Sequence, residues 1–108
     1  MDQVKGVAQP LTHTHGVEFS KTLRIFVVKL GWVLVGNIKE ETPTDFYLEN
    51  AAVIRVWGTS HGLGELAVKG PLDGTILDPC GDAVIPKHAI LWQTGCVEPA
   101  WVGAAGTE

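Results

Sequence analysis

The residues best equipped for chemistry lie in one block, Arg55-Val-Trp57-Gly-Thr59-Ser60-His61-Gly-Leu-Gly-Glu65. A guanidinium offers a planar fork to phosphate or carboxylate, and an indole offers a face on which a base stacks. Glycine-rich turns aim several backbone N–H groups at one anion, and hydroxyls add further donors. Arg55, Trp57, Thr59, Ser60, His61 and Glu65 are therefore the candidate ligand-binding residues, suited to a nucleotide or another phosphorylated small molecule. The competing reading is internal, with Arg55 paired to Glu65 or Glu49 and Trp57 in the core. The block is not a Walker-type phosphate loop, because no Gly-Lys-Ser/Thr follows at the required spacing.

Catalytic groups are poorly supplied. Ser60 and His61 are adjacent, and consecutive side chains rarely point at the same atom, whereas a nucleophile needs its base within hydrogen-bond reach. Asp78 and Asp82 flank Pro79-Cys80-Gly81 and offer either a carboxylate pair or two turn-capping residues. The expectation is a protein without enzymatic activity and without a cofactor. Four His and two Cys invite a zinc test, but Cys80 and Cys96 are sixteen apart and no Cys-x-x-Cys or His-x-x-x-His occurs. A site built from Cys80, His88 and Cys96 is the weaker alternative to two free, buried thiols, and His13 and His15 read as solvated. No metal site is assigned.

These residues need a scaffold, and the sequence predicts an all-β one, a small barrel or sandwich of about six strands with one short helical turn near 63–69. Thr22 to Leu30 and Trp32 to Lys39 are rich in β-branched and aromatic residues and turn at Gly31, as a hairpin would. Both strands are apolar on both faces and need cover on each side. Gly36 predicts a bulge or a close backbone approach. A third strand runs from Phe46 towards Trp57 with a break at Glu49-Asn50. Short strands follow at 75–77 and 83–86 around the turn Asp78 to Asp82, and a last one at 88–94. Residues 1–20 read as a flexible arm, 21–97 as the β domain, and 98–108 as a tail that Trp101 could dock.

Composition narrows the partners. A formal charge of −4 makes nucleic acid an unlikely target, since phosphate-backbone binding rests on displaced counterions and clustered cations. No apolar run reaches the roughly 20 residues of a membrane span, and the N-terminus lacks the order of a signal peptide. The expected location is the cytoplasm of a host cell. Strands apolar on both faces in a chain of 108 residues also predict a homo-oligomer.

The stretch Val53 to Pro71 carries Ile54-Arg55-x-Trp57-Gly58-Thr59 and Gly62-Leu63-Gly64-Glu65-Leu66-Ala67, closing on Gly70-Pro71. Together with Leu77-Asp78-Pro79-x-Gly81 it resembles a family of small phage and prophage proteins, over about residues 22–92. Two positions depart from that pattern: a second Arg before the Trp is Val56 here, and a Lys before Gly-Leu-Gly is His61. The resemblance implies bacteriophage origin and a compact β fold, without catalytic residues. It points to an accessory anti-defence protein that sequesters a nucleotide immune signal, a cyclic nucleotide for example, or blocks a host defence protein. Alternatives are a structural virion component, such as a decoration or head–tail protein, and a small nucleotide hydrolase.

Overall fold

The computed structural model describes residues 18–101; the histidines at 13 and 15 and most of the expected arm and tail lie outside them. The chain forms one antiparallel sheet of five strands and a single α-helix. The strands are β1 (Leu23–Val28), β2 (Val33–Glu41), β3 (Asp45–Val56), β4 (Ile76–Pro86) and β5 (Ile90–Gly95), and the helix is α1 (Leu63–Lys69). Their order across the sheet is β4-β3-β2-β1-β5. The all-β class, the hairpin and the helical turn at 63–69 are as the sequence predicts. Among the described residues no helix is long and apolar enough to cross a membrane.

Five strands stand where about six were expected, because residues 76–86 form one long strand rather than two. The expected turn at Asp78-Pro-Cys-Gly-Asp82 is instead a bulged stretch of β4, with Gly81 at φ +74°. A turn signal misled here because β4 lies at an edge, where a proline's missing N–H costs no ladder bond. The break expected at Glu49-Asn50 is likewise a bulge: Asn50 takes φ +51° and the register slips between Leu48 and Ala51 while β3 continues. Gly36 meets both readings of it. The β2–β3 register slips beside it, and an added Cβ would sit 3.0 Å from that of Ala51.

Each apolar face of the sheet finds its own cover. On one face Leu23, Ile25, Val33, Val35, Ala52 and Ile54 pack against α1, whose Leu63, Leu66 and Ala67 recur at i, i+3, i+4. Trp101 completes this layer. It is fully buried, and its indole N–H donates to the Ala67 carbonyl at 3.2 Å. The body therefore extends through Glu98–Trp101, a 3-10 turn, rather than ending at residue 97. At the other end Ser20, assigned above to the arm, donates its N–H to the Cys96 carbonyl at 2.6 Å.

The opposite face is closed by the sheet itself. β4 and β5 stand at opposite ends of the strand order, yet only Lys87–Ala89 separates them in sequence. The sheet must curl until its two edges approach there. Phe26 of β1 and Phe46 of β3, which are not neighbouring strands, consequently meet with ring centroids 5.3 Å apart. Leu48, Ala51 and Ile85 fill the space around them.

Candidate functional site

The six residues singled out by the sequence lie at the end of β3 and in the loop leading to α1, and the structure divides them. Arg55 does not reach Glu65 or Glu49. Its Nε donates to Asp78 Oδ2 at 2.7 Å and its terminal nitrogen to Oδ1 at 3.1 Å, a two-pronged pair with the adjacent strand. β4 presents Asp78 opposite Val53, so the carboxylate falls diagonally below the guanidinium. The paired hydrogen bonds hold Asp78 below the usual carboxylate range and push Arg55 higher still. Both side chains are about half exposed, at 60% and 47%, so the pair orients the arginine more than it stabilises the fold.

The remaining polar groups close the loop. Glu65, at the third position of α1, reaches back to accept the backbone N–H of His61 at 2.9 Å, one residue before the Gly62 N-cap, and so ties the loop to the first turn of the helix. Its other oxygen accepts from Lys69 Nζ at 3.0 Å, one helical turn on. These bonds lower its pKa, the His61 N–H contributing most, and leave the side chain only 11% exposed. Thr59 donates its hydroxyl to the Gly62 carbonyl at 2.7 Å. Gly58 adopts φ +73° because the loop passes so close to Gly74 and Thr75 that a Cβ would overlap their backbone. Ser60 and His61 stand exposed beside this framework.

Trp57 is not a core residue. Its side chain is 42% exposed beside Gly62, and Val56 and Ile76, paired across β3 and β4, are exposed next to it. What this end of the molecule presents outward is an indole, aliphatic side chains and an arginine already paired to aspartate. The carboxylates of Asp78 and Asp82 are divided between cations, Asp78 to Arg55 and Asp82 to Lys39 at 3.4 Å. Cys80 is exposed, contrary to the expectation of two buried thiols, because it lies in the bulged edge strand. Cys96 is buried in the helix-side core, which pushes its thiol up to about 12. Among the described residues no three His, Cys, Asp or Glu side chains gather as a metal site would require.

Sequence reasoning missed a second group. Beside β5 lies a cleft of about 460 Å³ lined by Glu41, Phe46, Lys87 and residues 90–93 of β5. Arg24 of β1 stacks its guanidinium 5.6 Å from the centre of the Phe46 ring and donates to Gln93 Oε1 at 2.7 Å. Lys87 approaches the same ring at 5.0 Å and pairs with Glu41 at 2.5 Å. The sequence held one signal, a lone arginine inside the apolar run Leu23 to Val28. Its cross-strand neighbours become known only with the register.

No family model, curated protein or solved structure matches this chain.

Proposed function

We propose that this chain is an accessory bacteriophage protein that acts by stoichiometric binding, occluding a host protein through the surface around Trp57. One observation carries the reading: the Arg55 guanidinium, the Thr59 hydroxyl and the Glu65 carboxylate are engaged with Asp78 or with the loop itself, while the indole remains half exposed. Tryptophan and arginine on a rigid strand end, beside exposed aliphatic residues, are the composition of an interface hot spot. A nucleotide-sequestering role for the same block is less well supported, because its only arginine already has a carboxylate in its fork. Hydrolysis is supported less still, since Ser60 makes no hydrogen bond to His61 and no base stands ready for it.

Two measurements test the proposal. A screen by thermal shift against cyclic dinucleotides, cyclic trinucleotides and cyclic ADP-ribose isomers should give no shift that Arg55→Gln removes. Host protein captured by the wild type should be released by Trp57→Ala while the circular dichroism spectrum stays unchanged. A nucleotide shift abolished by Arg55→Gln overturns the reading in favour of sequestration.

The second group of exposed apolar residues, including Leu30, Trp32, Val84 and Leu91, favours an alternative as an assembly subunit of the virion. Detection of the chain in purified particles would select that alternative.

A further inference from the structure

The turn between β1 and β2 is unfavourable in two respects for an isolated chain. Leu30 takes φ +70° and ψ +10°, the left-handed region that residues with a Cβ disfavour, and its side chain is 96% exposed. The Val28 N–H donates to the Trp32 carbonyl at 2.9 Å across the base of the turn, so the leucine is held out at the tip. At that base lies a cleft of about 260 Å³, with Val28, Trp32 and Leu34 on one side and Ile85, Pro86 and Ala89 on the other. Ile85 belongs to the core around Phe26 and Phe46, and Val28 and Leu34 pack against it, so the cleft is a mouth of that core. Trp32 and Val84, at the rim, are each more than half exposed. The other core layer is closed by α1 and Trp101, whereas no described element closes this mouth.

We infer that this end of the molecule is a two-fold interface between copies of this chain, in which Leu30 of each copy enters the apolar cleft of the other. The surface carries a knob and a hole side by side, and a two-fold axis brings such a patch onto itself with both contacts made at once. The lining of the cleft argues against a small-molecule occupant. Its volume falls below the roughly 300–1,000 Å³ of small-molecule sites, and the Trp32 indole N–H is the one polar side-chain group in it, so little there would orient a ligand. A leucine side chain needs only apolar walls. Charge points the same way. Residues 28–34 and 84–89 contain no Asp or Glu, so two copies of net charge −4 meet where their shared negative charge is least. Burial of Leu30 in the other copy also offsets the left-handed backbone that displays it. This interface is independent of the Trp57 surface and shares no residue with it.

Sedimentation velocity of the full chain, from about 1 μM to about 1 mM, tests this. A concentration-dependent equilibrium between monomer and dimer is expected. Leu30→Gly should raise its dissociation constant roughly 10-fold or more, the loss of an interface anchor. That variant removes the knob but suits the positive φ, so its circular dichroism spectrum should match that of the wild type. Val84→Lys, which sets a charge at the rim of the hole, should weaken the dimer as well, and Trp57→Ala should leave it intact. A chain that stays monomeric up to about 1 mM overturns the inference, and saturable binding of decanoate by that monomer would give the cleft to a small apolar ligand instead. A dimer whose dissociation constant is the same in wild type and Leu30→Gly overturns it too, because the interface then lies elsewhere.

Discussion

The two arginines of this chain occupy opposite situations. Arg55 sits in the block richest in chemical-looking residues, and its fork is closed by Asp78. Arg24 sits in a plain apolar strand, faces two glycines, and carries no carboxylate partner among the described residues. The comparison teaches that donors and acceptors crowded in sequence tend to satisfy one another once folded. A cation isolated in sequence can be left without a counter-charge when the register offers it none, and then a neutral amide and a ring take that place.

The sharpest way to break the comparison is through the glycines of the motif block. If they shape the loop, Gly58→Ala should destabilise by about 2–4 kcal/mol, from positive φ and overlap with backbone. Gly64→Ala, where an added Cβ meets nothing, should be neutral or stabilising by up to about 1 kcal/mol. Chemical denaturation of both variants checks this. If the two behave alike, the loop does not have the described geometry.

A second test addresses how the body is sealed. Trp101→Ala should cost about 3–5 kcal/mol, as for other fully buried aromatic residues. A change below about 1 kcal/mol in the same denaturation assay would return residues 98–101 to the tail.

The pH dependence sharpens the account of the loop. Glu65 and Asp78 are both held below their ordinary values by hydrogen-bonded partners. Their contribution to stability should be complete above about pH 5 and should fade as pH falls through 4 and below. Glu65→Gln should flatten that acid limb more than Glu49→Gln does, measured as thermal midpoint against pH.

The smallest effect concerns the thiols. A maleimide should label exposed Cys80 in the native protein and leave Cys96 unmodified until unfolding, since burial keeps the latter protonated. Labelling of both at similar rates would contradict the placement of Cys96 in the core.

Much of the scaffold was legible in the sequence because its signals are local. The β-branched runs around Gly31 and the glycine-bounded segment at 63–69 each specify their own backbone. The continuity of β4 was not legible, because Asp78-Pro-Cys-Gly is a turn signal unless the strand lies at an edge, which is a property of the whole sheet. The candidate site was readable as a cluster but not as a geometry. Asp78 lies 23 positions after Arg55 and meets it only through the β3–β4 register. The β5 cleft draws its lining from β2, β3, Lys87 and β5 together, so no window of sequence contains it.

The most direct test of the central claim follows the tryptophan indole and Arg55 Nε–H signals by nuclear magnetic resonance during titration with cyclic dinucleotides, cyclic trinucleotides and cyclic ADP-ribose isomers. The account predicts that the Trp57 and Arg55 signals stay in place, because Asp78 already fills the guanidinium fork. Saturating movement of both would contradict it, and would return ligand recognition to the motif block.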